Sequence, residues 1–128
     1  MINKLFVGSL LILASITVNA STMCVAVPKE DEYWRDVEVL SYDFETMTAK
    51  YKATYGDTYE GKITNVRTFN KDGQKINFEF KVDGNLNEFV LFPAFGKYRA
   101  IGIRFTTERG QKLIDVSLGN TELNCTTI

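Results

Sequence analysis

The sequence predicts an all-β domain: a single antiparallel meander of six to seven strands, closed as a small barrel or stacked as a compact sandwich. Two runs of strict apolar–polar alternation carry the first part of this, because period two marks strands with one buried and one wet face. The runs are separated by short segments rich in Gly, Asp and Asn, and connections that short join only antiparallel neighbours. Composition sets the scale. The chain has 128 residues, 45% hydrophobic and 24% charged, which fits one globular domain and excludes disorder, collagen and coiled coil.

The first twenty residues read as a signal peptide. Lys4 supplies the positive start, residues 5–18 are apolar, and Val18-Asn19-Ala20 offers small residues before a cut at Ser21. The apolar run is broken by Gly8, Ser9 and Ser15 and is too short to span a bilayer, which takes about 20 residues. A buried core helix is the competing reading, but nothing downstream offers it a helix-rich partner. Met23 beside Cys24 does not suit lipid attachment. The expected product is an exported domain, residues 21–128, in the periplasm or the medium.

Cys24 and Cys125 are the only cysteines. In an exported chain they most simply form one disulfide, closing a loop of about 100 residues and worth up to about 4.7 kcal/mol in the chain-entropy model. A metal pair would lack ligands, and a redox pair would need C-x-x-C spacing.

The strands follow in order. Residues 29–47 are ambiguous: Trp34, Val37, Leu40, Phe44 and Met47 match helical spacing after Pro28 and an acidic run, so one N-terminal helix is an alternative. Val37, Val39, Tyr42 and Phe44 favour a strand with a bulge at Val39–Leu40. Thr46–Tyr55 alternates, with Met47, Ala49, Tyr51, Ala53 and Tyr55 on one side. Tyr55-Gly56-Asp57 is a turn. Lys62–Phe69 and Lys75–Val82 flank Asn70-Lys71-Asp72-Gly73, and in the second strand Ile76, Phe78, Phe80 and Val82 form the apolar face. Asp83-Gly84-Asn85 follows as a hairpin turn. Phe89–Phe95 is apolar on both faces, and its strand is expected to end or bulge at Pro93, which cannot donate to a ladder. Glu108-Arg109-Gly110 joins Tyr98–Thr107 to Gln111–Leu118, where Ile114, Val116 and Leu118 form one face.

Chemistry is constrained mainly by what is missing. The chain has no histidine, which removes the commonest general base, the usual partner of a nucleophilic Ser or Cys, and the commonest metal ligand. No Ser-x-x-Lys, Gly-rich phosphate loop or metal spacing occurs. Carboxylate pairs such as Asp43 with Glu45 are the remaining enzymatic route, but charges on strands are usually a solvated face. The expectation is therefore a non-enzymatic protein without cofactor or metal. A formal net charge of −1 argues against a nucleic-acid partner.

The near-neutral total conceals an asymmetry. Residues 29–60 hold nine acids and four bases, whereas 97–112 hold Lys97, Arg99, Arg104, Arg109 and Lys112 against Glu108. Such asymmetry could steer a charged partner, or leave two solvated faces that offset each other. Tyr55, Tyr59 and Tyr98 fall at predicted turns, where aromatics can be contact residues; Tyr55 and Tyr59, with Arg104 and Arg109, are secondary candidates. The most site-like segment is Pro93–Arg99, in which Phe95, Gly96, Lys97, Tyr98 and Arg99 form a candidate binding loop between strands. As structure alone it is a kinked hairpin.

Phe95-Gly96-Lys97-Tyr98, followed by Phe105, Arg109-Gly110 and Leu113, is similar to the inhibitory region of exported bacterial lysozyme inhibitors of the membrane-bound and periplasmic type. The similarity covers residues 93–113. It departs from the family's Ser-Gly-x-x-Tyr loop in having Phe95 in place of the serine and Tyr98 one position nearer the glycine. It implies a small disulfide-bearing β-barrel in which Lys97 and Tyr98 reach into the acidic cleft of a lysozyme. The function expected is thus an inhibitor or immunity-type protein that binds a protein partner, such as a peptidoglycan hydrolase. A β-barrel carrier of a small ligand and a structural component of the cell envelope are the alternatives.

Overall fold

In a computed structural model, which describes residues 21–28, 37–54, 56–69 and 73–128, eight antiparallel strands close a barrel in simple chain order. They are β1 (Ser21–Ala26), β2 (Val37–Asp43), β3 (Thr48–Ala53), β4 (Thr58–Phe69), β5 (Gly73–Val82), β6 (Asn85–Ala94), β7 (Lys97–Glu108) and β8 (Gln111–Thr127). The all-β meander is as the alternation predicts, the barrel replaces the sandwich, and there is one strand more than the six to seven expected. The additional strand is β1, which pairs with β2 on one side and β8 on the other. The expected signal peptide (1–20), Tyr55 and residues 70–72 lie outside the described residues.

No helix occurs among the described residues, so none is long and apolar enough to cross a membrane. Residues 37–43 are strand, 44–47 form the β2–β3 turn, and 29–36 lie outside the described residues. The helical spacing of Val37 and Leu40 has a local cause. The β2–β3 register slips between Val37 and Val39, one step earlier than the expected bulge, so that both side chains point inward three residues apart.

β6 also departs from expectation, since it runs through Pro93 to Ala94 without a break. β6 pairs with β5 only as far as Leu91, so the missing Pro93 N–H is not needed on that side, and β7 continues the ladder on the other. β8 extends well past Leu118. Of the face expected there only Leu118 is buried, whereas Ile114 and Val116 are exposed because the far end of the β7–β8 hairpin projects beyond the barrel.

The interior is filled with side chains. Tyr51 is its hub, with ring centroids of Phe80, Phe89 and Tyr59 at 4.6, 5.0 and 5.4 Å. Tyr42 packs on Phe78 at 5.4 Å. Edge-on aromatic contacts of this kind add to the stabilisation from area burial. One polar chain crosses the core: fully buried Asn87 donates from Nδ2 to the Tyr51 hydroxyl at 2.7 Å and accepts from Arg104 Nε at 3.0 Å. Buried amides are tolerated when both ends are satisfied in this way.

Two of these rings lie over glycines on the neighbouring strand. Phe80 is paired with Gly61 and Phe89 with Gly102, and a Cβ at either position would meet the ring. At Gly61 the Cβ would also run into the Glu79 carbonyl, which is backbone and cannot rotate away. Gly61→Ala is expected to lower the unfolding free energy by about 1–3 kcal/mol, the range for overpacking. Urea denaturation reads this; an unchanged midpoint would mean that the β4–β5 pair opens easily.

Candidate functional site

A meander closed in chain order places alternate turns at opposite ends. The β2–β3 and β6–β7 turns share one end with both ends of the described chain, Ser21 and Ile128, and that end is called here the terminal end. The β5–β6 and β7–β8 turns lie at the other. Three connections are two-residue loops with positive φ at both central residues: Asp83-Gly84 (51°, 82°), Phe95-Gly96 (51°, 80°) and Arg109-Gly110 (52°, 76°). This is the type I′ hairpin turn, whose twist matches that of the strands, and it favours Asn or Asp before Gly.

Asp83 meets that preference and Phe95 does not. An aromatic in the left-handed region costs on the order of 1–3 kcal/mol unless its surroundings repay it. Phe95 has no such surroundings, since at 106% relative exposure its ring stands wholly in solvent. Met47, in the β2–β3 turn at the same end, is also an exposed apolar residue with positive φ (56°). Exposed Phe44 and Ile128 complete an apolar rim.

The flanks of the β6–β7 turn are anchored although its tip is free. Tyr98 is half-buried against the core, with its hydroxyl over Gly73 of β5. Arg99 donates from Nε to Asn120 Oδ1 at 2.9 Å. Lys97, half-buried, faces Ala94 in the last pair of the hairpin. Of the five candidate loop residues, the structure thus puts Phe95 and Gly96 at a projecting tip and Tyr98 and Arg99 in its foundations.

The secondary candidates are scattered. Tyr59 packs against Tyr51 near the opposite end, Arg104 turns inward to Asn87, and Arg109 sits exposed in the β7–β8 turn. None of them joins the Phe95 tip. The basic excess of 97–112 is partly used within the molecule, because Lys112 pairs with Glu88 at 2.9 Å and lies 4.2 Å from the Phe105 ring centroid. At the terminal end of the core, burial pushes the Tyr42 phenol above its ordinary ionisation range against the opposing hydrogen bond to Thr22, so it remains neutral packing. Among the described residues no three Cys, Asp or Glu side chains group as a metal site.

One feature escaped the sequence reading. The outer face of β6–β7 carries an apolar stripe, with Val90, Phe92 and Ile101 lining a surface trough beside Lys75 of β5. Its signal was the double-faced run at 89–95: one half fills the barrel and the other half coats it.

The class these observations define is a disulfide-closed, eight-stranded antiparallel β-barrel with a packed interior and an apolar turn presented at one end. No protein-family model, no curated protein and no solved structure matches the chain.

Proposed function

We propose that this is an exported, non-enzymatic binding protein that inhibits a secreted or periplasmic hydrolase such as a lysozyme, using the β6–β7 turn as a wedge. The observation that carries this reading is Phe95, a fully exposed ring held in a backbone conformation that aromatics avoid. Strain with no return inside the fold is the mark of a residue kept for something outside it. Lys97 beside the tip would add a cation suited to an acidic cleft. The Cys24–Cys125 bond accords with export, since disulfides persist in oxidising compartments.

The packed interior favours this over the carrier reading, which needs a ligand cavity within the barrel. The envelope-component reading has one observation in its favour, the apolar outer face. Assembly of the purified protein into sedimenting oligomers would distinguish it.

The test pairs Phe95→Ala with Phe95→Asn in assays of peptidoglycan hydrolysis by a panel of lysozymes. Both variants should lose inhibition by roughly 30-fold or more, as expected for an aromatic hot spot worth about 2 kcal/mol. Phe95→Asn should also unfold at equal or higher urea concentration, because Asn suits the turn. No inhibition of any lysozyme by the unaltered protein, or full inhibition by both variants, would remove the proposal.

A further inference from the structure

We propose that the outer face of β5–β7 is a second binding site, for an apolar peptide segment that ends in a free carboxylate. It lies on the wall below the Phe95 turn, next to its base at Pro93, and does not depend on that reading.

The face has the wrong chemistry for a surface left to water. Outward positions of an antiparallel barrel are ordinarily polar. Here Val90, Phe92, Pro93 and Ile101, with Phe69 and Lys75, line a trough of about 650 Å³ near the terminal end. It continues past Val90 and Ile101 into a hollow of about 190 Å³ toward Ile103 and Phe105. The backbone of β5, β6 and β7 is occupied in the barrel ladder, so a ligand here is read by side chains rather than by strand addition.

The charges specify one end of that ligand. Arg67 and Lys75 are directly opposed on β4 and β5, and like charges in that position repel. Among the described residues neither has an ion-pair partner; Arg67 lies over the Phe69 ring at 5.3 Å. Arg99 faces Phe92 across β6–β7 but stands opposite Glu122 on β8 and is held by Asn120, so it adds no spare charge. The acid in the hollow, Glu88, is already neutralised by Lys112. Among the described residues the Arg67–Lys75 pair is therefore left without a counter-charge at the terminal end of an apolar trough, which suits a carboxylate there.

Asn77 specifies the rest. Its Oδ1 is buried without a hydrogen-bond partner, and the residue lines the hollow beside Val90 and Ile101. A buried acceptor lacking a donor is costly, and turning of the Asn77 amide into the hollow would let a ligand N–H satisfy it. Lys75 and Asn77 are two residues apart on one strand, about 6.8 Å, a distance that the last two residues of a peptide span. A long-chain carboxylate offers the charge and the apolar body but no N–H, so the peptide is the better fit.

The probe is a fluorescein-labelled peptide, Gly-Gly-Ser-Leu-Val-Leu-Val, as the free acid and as the C-terminal amide, titrated by fluorescence polarisation against the unaltered protein. The free acid is expected to bind about tenfold more tightly than the amide. Lys75→Glu, a surface change, should abolish that advantage, and Asn77→Leu should weaken both peptides several-fold. Where Asn77→Leu fails to fold, exposed Ile101→Lys serves in its place. Phe95→Asn should bind both peptides like the unaltered protein, so loss of lysozyme inhibition and loss of peptide binding are separable. Equal binding of acid and amide, no binding of either at about 1 mM, or displacement of the peptide by dodecanoate at equal affinity would overturn the assignment.

Discussion

Replacing both Cys24 and Cys125 with serine should lower the unfolding free energy by about 2–5 kcal/mol, the range seen when small exported domains lose a native bridge. The two residues are directly paired on β1 and β8, with Cα atoms 3.9 Å apart and a sequence separation of 101. Cys24 is fully buried and Cys125 packs against the core, so the bridge lies on the inner wall at the closing seam. Chain-entropy arguments favour a large effect, because the longer the loop, the more freedom its closure removes from the unfolded chain. The seam should suffer first: five residues of β1, Thr22–Ala26, pair with β8, and their amides should exchange faster in the double variant. Urea denaturation with hydrogen exchange tests both points. A stability loss under about 1 kcal/mol would show that strand pairing alone holds the barrel shut.

The second large effect is expected at Tyr51. Tyr51→Ala removes a fully buried ring that touches Tyr59, Phe80 and Phe89, and it takes away the hydroxyl to which Asn87 donates. Truncating a buried aromatic costs about 3–5 kcal/mol, and the orphaned Asn87 amide adds to that. Tyr51→Phe isolates the second part and should cost about 1–2 kcal/mol. Guanidinium or thermal melts of the two variants separate the contributions. Equal costs would mean that the hydroxyl, and not the ring, dominates.

The parts of the fold legible in the sequence were those with one wet and one dry face. Ile76, Phe78, Phe80 and Val82 alternate because β5 is a barrel wall, and Ala49, Tyr51 and Ala53 do so for the same reason. Alternation fails where the ladder is irregular. The slip at Val37–Val39 puts buried residues three apart and imitates a helix. In β7–β8 the register shifts around Gly102 and again beyond Arg104, so Ile114 and Val116 read as core although they lie on an overhang. β1 shows no alternation because Met23-Cys24-Val25-Ala26 is apolar on both faces, with Met23 and Val25 exposed and Cys24 and Ala26 buried. A bridge between Cys24 and Cys125 nevertheless requires the two ends of the domain to lie side by side, as β1 and β8 do.

The candidate site was legible as a segment but not in its geometry. Pro93–Arg99 stands out by composition, yet nothing in the residue order says that Phe95 projects while Tyr98 folds back over Gly73. That division follows from the two-residue turn, which leaves only Phe95 and Gly96 outside the ladder. Asn87 and Arg104 were invisible as a pair because strand register, not sequence distance, brings them together.

The seam between β1 and β8 also sets when the molecule can become itself. Ile128 N–H donates to the Ser21 carbonyl at 2.7 Å, so the first and last described residues are spatial neighbours. Every other strand pair joins neighbours in sequence and can form as the chain emerges, but this one must wait for the last residues to arrive. Bringing together ends so far apart in sequence is the slow kind of contact, charged with loop-closure entropy before it returns any stabilisation. Until that pair forms the polypeptide is an open, eight-strand ribbon with two raw edges, exposed to neighbouring chains for as long as its two ends stay apart.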